Sequence, residues 1–237
     1  MFQTDPFALI VVLVGLSLIP FVAMIATSYL KIVVVMSLIR NALGIQSIPP
    51  NMVINALAMI LTFYIMAPIA SESWSAIVES QKTMAASQSG NGVAQASNST
   101  SLQARTIDLS TLDLGKAAEP FRKFLSEHTA PRERAFFIKT AETLWGKDGE
   151  PAVVDSESYW ILLPSFCVSE LTKAFQIGFL VYLPFNAIDI IVSNILLAMG
   201  MMMVSPVTIS LPFKLLLFVM VNGWTLLIQG LVKGYIL

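Results

Sequence analysis

The chain has 237 residues, of which 56% are hydrophobic and only 12% are charged. Soluble domains carry about a quarter charged residues, so this composition predicts a membrane protein. The net charge of −1 provides no basic surface for nucleic-acid phosphates. With one cysteine and one histidine, an intrachain disulfide is excluded, and no cofactor, metal site or Cys/His catalytic pair is expected. A serine or carboxylate enzyme is left open by these counts, but no constellation of such residues supports one.

The charged residues are concentrated in the middle of the chain. Residues 72–157 hold 21 of the 29 acidic and basic side chains. This polar segment separates an N-terminal hydrophobic region, residues 1–71, from a C-terminal one, residues 158–237. The pattern predicts an all-α protein with membrane-inserted, kinked helices and helical hairpins around a small helical water-facing insertion.

In the N-terminal region, residues 7–39 predict one long helix, or two shorter ones broken at Pro20, because proline removes a backbone hydrogen bond. The first residues carry no lysine or arginine, so we expect this apolar stretch to be retained rather than cleaved as a signal peptide. Residues 40–51 predict a turn, in which Gly44 is able to end the preceding helix.

A second apolar helix is predicted over residues 52–70, bent or ended near Pro68. The next residues, 83–104, are rich in Ser, Ala, Gln and Asn and predict a flexible loop.

Two short helices are predicted next, over residues 111–128 and 131–145. In the second, Phe137, Ala141 and Leu144 form one apolar stripe. We expect this stripe to pack against the first short helix.

Prolines divide the C-terminal region into pieces of about 164–183, 185–204 and 207–235, which predicts two to three helices or half-helices. The dividing residues are Pro164, Pro184, Pro206 and Pro212. Interrupted backbone at membrane depth is tolerated only where protein buries it or where it lines a wet cavity. The pattern therefore indicates a pore or a gate.

The positive charges near the end of the first apolar region predict the membrane topology. Lys31 and Arg40 place the turn that follows them in the cytoplasm, because short cytoplasmic loops are enriched in Lys and Arg. The polar segment 72–157 is then expected in the periplasm.

Four ionisable residues in the C-terminal region are candidates for ion pairs: Glu170, Lys173, Asp189 and Lys214. An ionisable group at membrane depth is costly unless it is paired or hydrated. Pairs between helices of one chain, pairs across a subunit interface, and a proton relay are all compatible with the sequence. We expect Glu170 and Lys214 to pair between neighbouring copies.

The segment from Met199 to Pro206 holds four of the twelve methionines, at Met199, Met201, Met202 and Met203. Methionine is unbranched and adapts its shape to its neighbours. A ring of such segments is able to fit around passing chains and to close by dewetting when it is empty. Core filling or lipid contact is the ordinary alternative.

Several stretches closely resemble the FliP/SctR family of type III secretion export-gate proteins. They are ATSYLKIVVVMSLIRNALG at 26–44, PPN at 49–51 continuing to LTF at 61–63, SELTKAFQIGF at 169–179, LPF at 183–185, MGMMMVSP at 199–206, LPFKLLLF at 211–218, and GW at 223–224.

This resemblance implies a ring of five copies that assembles with FliQ/SctS-like and FliR/SctT-like proteins. The assembly would be the pore through which unfolded exported polypeptides enter the apparatus. It would lie in the bacterial inner membrane, in contact with lipid and largely on the periplasmic side. The resemblance also assigns a pore gasket to Met201, Met202 and Met203, with Met199 adjacent. A channel or transporter for small ions or protons, dependent on Asp189, is the alternative function.

The chain departs from the family in three places. Flagellar members usually begin with a cleavable signal peptide, so the start of this chain favours the injectisome branch. The loop at 83–104 is outside the recognisable pattern. Asn222 stands where many relatives carry Asp before Gly-Trp.

Overall fold

The computed structural model describes residues 6–45, 48–89, 114–146 and 154–236, and these ranges contain helices but no β-strand. The helices are α1 (Pro6–Ile25), α2 (Tyr29–Ala42), α3 (Asn51–Ser89), α4 (Leu114–His128), α5 (Pro131–Trp145), α6 (Tyr159–Ala198), α7 (Pro206–Met220) and α8 (Gly223–Lys233). The predicted all-α class is confirmed.

The chain forms two compact units. The first combines Met1–Met66 with His128–Leu237, and the second is Ala67–Glu127. In the first unit α6 is the central helix, because it packs against α2, α5 and α7.

The core of the first unit is built on one face of α2. Ile32, Val35, Met36 and Ile39 follow helical spacing and are fully buried. They pack with residues of α3, α6, α7 and α8, including Phe185. Burying one such side chain contributes about 1.5–3 kcal/mol, so the pairing of α2 with α6 organises this unit.

Several prolines lie inside helices rather than at their ends, so several predicted breaks were wrong. Pro20, Pro68, Pro164, Pro184 and Pro212 are all internal. A long apolar helix tolerates the lost hydrogen bond where neighbouring groups compensate for it. Pro6, Pro131 and Pro206 start helices, at positions whose N–H would have no intrahelical partner.

The observed breaks lie elsewhere. α1 ends at Ile25 and α2 begins at Tyr29, well after Pro20. α7 and α8 meet at an angle of 59°. The bend follows from Asn222, which has a left-handed backbone with φ 52° and belongs to a residue type that tolerates this conformation.

Helix α3 does not end near Pro68, which was one of the two predicted outcomes at this proline. It continues to Ser89, so residues 83–89 are helical rather than part of a loop. The remainder of the predicted loop, from residue 90 onwards, lies outside the described residues.

The two predicted short helices are present as α4 and α5. Helix α5 packs against α6, whereas the sequence predicted that it would pack on the first short helix. The contact is anchored by the backbone N–H of Ala130, which donates to Ser169 Oγ at 2.9 Å. Of the predicted stripe, Ala141 is buried while Leu144 is exposed.

Among the described residues, two helical segments are long and apolar enough to cross a membrane: Asn51–Glu79 and Tyr159–Ala198. The bent pairs α1–α2 and α7–α8 raise the number of candidate spans to as many as four. These properties are those of an integral membrane protein.

Gly223 is expected to be sterically required at the start of α8. A Cβ added there would lie 2.2 Å from Cε2 of Phe218, and this ring is held by an edge-on contact with Trp224. We expect Gly223→Ala to lower the free energy of unfolding by about 1–3 kcal/mol, as overpacking does. Thermal unfolding in detergent measures the change.

Gly230→Ala is the matched control in the same helix, because no atom lies within 4 Å of its added Cβ. It is expected to leave stability unchanged or to raise it by about 0.5–1 kcal/mol through helix propensity. Equal effects of the two substitutions would contradict the steric explanation.

Candidate functional site

The methionine loop, defined here as residues 199–205, connects α6 to α7. It begins with a Schellman C-cap, in which Gly200 N–H donates to Leu197 O at 3.0 Å and Met201 N–H donates to Leu196 O at 2.9 Å. Gly200 has φ +74°, a conformation that glycine adopts without steric cost. The sequence thus ends α6 immediately before the three consecutive methionines.

The methionine side chains of this loop are exposed in the single chain. Met202 is 82% exposed and Met203 is fully exposed, and Met199 and Met201 are about half exposed. Large apolar side chains gathered at an exposed tip are costly to hydrate and typically mark an interaction surface. The loop is therefore the foremost candidate site.

The Glu170 cluster, formed by Lys31, Glu170, Lys173 and Tyr235, lies in the first unit and surrounds a buried carboxylate. Glu170 is 0% exposed and pairs with Lys31 Nζ of α2 at 3.1 Å. Lys173 Nζ lies 3.1 Å from the other carboxylate oxygen, Oε1. The Tyr235 hydroxyl also donates to Glu170, so the buried carboxylate has three donors.

The same cluster joins distant parts of the chain. Lys31 Nζ lies 3.5 Å from the centre of the Tyr235 ring, a cation–π contact. Lys173 Nζ donates to the backbone O of His128 at 2.7 Å. Burial, and after it the nearby Glu170 carboxylate, raise the pKa of Tyr235, so the phenol stays protonated and remains a donor.

The Asp189 cluster, formed by Asp189, Ser210 and Lys214, links α6 to α7. Lys214 Nζ lies 2.6 Å from Asp189 Oδ2 and donates to Ala42 O at the end of α2. The Ser210 hydroxyl donates to Asp189 Oδ1 at 2.6 Å. This arrangement holds three helices together and leaves the buried lysine with a counterion.

The structure thus gives each predicted charged residue a partner within its own chain. Glu170 contacts Lys31 and Lys173, while Lys214 contacts Asp189. Pairing of Glu170 with Lys214 between copies stays a prediction, because one chain is described.

Sequence reasoning missed Lys31, Ser210 and Tyr235 as members of these clusters. The one available signal for Lys31 was its position as a lone cation in an apolar segment.

Helices that are long and apolar enough to cross a membrane and that pack through buried ion pairs define a multi-helix membrane protein. A model of the FliP family matches residues 12–231. The chain belongs to the FliP family, in the SctR branch of type III secretion.

Relatives of similar length support this assignment. The chain is 46% identical to the Yop proteins translocation protein R of Yersinia pestis, over 98% of this chain and 97% of the relative. It is 46% identical to pathogenicity-related ORF2 of Xanthomonas campestris pv. glycines, over 96% of this chain and 95% of the relative. It is 43% identical to the hypersensitivity response secretion protein HrcR of Ralstonia nicotianae, over 96% of each chain.

Proposed function

We propose that this chain is one subunit of the export gate of a type III secretion system, and that several copies enclose the pore through which unfolded polypeptides pass. The observation that carries the proposal is the exposed methionine loop at the α6–α7 turn. Membership of the FliP family and relatives named for protein translocation and secretion support it.

The copies are proposed to form a ring of five, joined by FliQ/SctS-like and FliR/SctT-like proteins, in the inner membrane and largely on its periplasmic side. Exposed apolar side chains support assembly. Phe175, Phe179 and Leu180 of α6 and Phe213 of α7 are all more than half exposed in the single chain. Such faces require lipid or other helices as neighbours.

In this role the chain is a passive conduit rather than an enzyme. Its charged residues serve packing: Asp189 is paired with Lys214 and hydrogen-bonded by Ser210. This arrangement does not favour the alternative of proton-coupled transport through Asp189.

Gentle detergent extraction followed by native mass measurement tests the proposal. We expect an oligomer of this chain when it is expressed alone, and a complex with two other small membrane proteins when the secretion genes are expressed together. A chain that stays monomeric under both conditions would overturn the proposal.

A further inference from the structure

One pocket of the first unit, the Arg40 pocket, has a polar rim and apolar walls. Its volume is about 430 Å³, which corresponds to a ligand of roughly ten to fifteen heavy atoms at ~30 Å³ per water-sized group. The rim includes Arg40, Asn222, Trp224 and Thr225, and the walls include Phe218. No carboxylate lines the pocket within the described ranges.

The guanidinium of Arg40 is only partly satisfied by the protein. Its Nη1 donates to Asn51 Oδ1 and to Pro49 O, the latter at 3.4 Å, and both acceptors are uncharged. Its Nε is buried and has no hydrogen-bond partner. Among the ion pairs of the described residues, none includes Arg40. The positive charge is therefore uncompensated within this part of the chain.

The start of α8 adds positive potential to the same pocket. Gly223, Trp224 and Thr225 form its first turn and line the cavity. Asn222, at the N-cap, makes no side-chain hydrogen bond to them. Unpaired N–H groups at a helix start attract anions. Together with the uncompensated charge of Arg40, this arrangement selects for a negatively charged ligand.

The position of the pocket indicates the ligand class. Arg40 is near the end of the bent α1–α2 pair, and Asn51 begins the next candidate span. Arginine at such a boundary typically lies at the head-group level of a bilayer. Basic pockets between membrane helices bind anionic lipid head groups.

From this geometry we propose that the Arg40 pocket binds the phosphate of an anionic phospholipid, whose acyl chain lies along the apolar wall near Phe218. Arg40 supplies the charge and the first turn of α8 supplies N–H donors. The proposal concerns lipid recognition and does not depend on the export function.

Native mass spectrometry of the full-length, delipidated protein tests this site. Phosphatidylglycerol and phosphatidylcholine with identical acyl chains are added in equal amounts. We expect the unaltered chain to retain phosphatidylglycerol about tenfold in preference, since one charge-assisted contact gives roughly that ratio. No preference in the unaltered chain would overturn the proposal.

Two variants and a control locate the site. Arg40→Gln removes the positive charge of the pocket. Asn222→Asp places a carboxylate in the pocket and leaves Arg40 in place. Aspartate, like asparagine, tolerates the left-handed backbone of this position, φ 52°. Both variants are expected to lose the preference. The control is Lys233→Gln, which removes an exposed cation at the far end of α8 and is expected to retain the preference for phosphatidylglycerol. Equal losses of preference in all three variants would show nonspecific charge attraction and overturn the proposal.

Two further outcomes would exclude a lipid as the occupant. If inorganic phosphate at millimolar concentration displaces phosphatidylglycerol completely, the pocket recognises the free anion alone. If Arg40→Gln dissociates the oligomer while lipid retention is unchanged, the pocket is occupied by a second copy of the chain. Either result contradicts the proposal.

Discussion

Replacing Met201, Met202 and Met203 together by alanine is expected to raise ion leak through the assembled complex by about tenfold or more. Truncating one methionine in a packed contact costs about 2 kcal/mol or more, and about 1.4 kcal/mol already shifts an equilibrium tenfold. The three side chains are exposed in the single chain, so in our proposal their packing partners are the same loops of neighbouring copies.

The measurement is conductance of purified complexes in planar bilayers, together with native mass to show that the ring still forms. A matched control removes three exposed methionines elsewhere: Met52, Met59 and Met220. This control is expected to leave the conductance of the closed complex unchanged. Unaltered leak in a complex that assembles with all three loop alanines would remove the gasket from the proposal.

Neutralising Glu170 is expected to give the largest loss of stability. Glu170→Gln leaves Lys31, which is only 3% exposed, without its carboxylate. Removing one partner of a buried ion pair costs about 3–5 kcal/mol. This is a large share of the free energy of unfolding of a folded domain, which is roughly 5–15 kcal/mol. Thermal unfolding in detergent and the yield of folded protein measure the loss.

The structure also predicts an asymmetry between the two partners of this ion pair. Lys31→Met should cost less than Glu170→Gln, because Glu170 keeps Lys173 and Tyr235 as donors. The double variant Lys31→Met with Glu170→Leu should regain part of the stability lost in Glu170→Gln, since position 31 then no longer carries a buried charge without its carboxylate. Glu119→Gln, which breaks an exposed pair with Arg122, is the control and should change stability by less than about 1 kcal/mol.

Charge exchange separates pairing within the chain from pairing between copies. If Glu170 pairs with Lys214 of a neighbour, then Glu170→Lys combined with Lys214→Glu should restore the assembly that each single reversal blocks. If the contacts of Glu170 with Lys31 and of Lys214 with Asp189 within one chain were the complete set of partners, the double reversal would give no rescue. Absence of rescue would contradict the predicted pairing between copies.

Composition and local pattern were sufficient to predict the helical membrane class, the two short helices and the methionine loop. These features depend on residues close together in the chain. Examples are the apolar runs, Pro131 at the start of α5, and Gly200 beside Met201. The prolines misled the prediction, because an intrahelical proline such as Pro184 is tolerated when packing along a long helix outweighs one lost hydrogen bond.

The partners of the buried charges were decided by the tertiary structure alone. Lys31 and Glu170 lie far apart in sequence and meet because the apolar face of α2 packs along α6. The Arg40 pocket likewise exists only where the end of α2 approaches the α7–α8 bend. The sequence determined which segments are helical and apolar, since that depends on local side-chain chemistry. Which of the apolar helix faces pack against each other depends on the complementarity of their shape and charge, which only the tertiary structure shows.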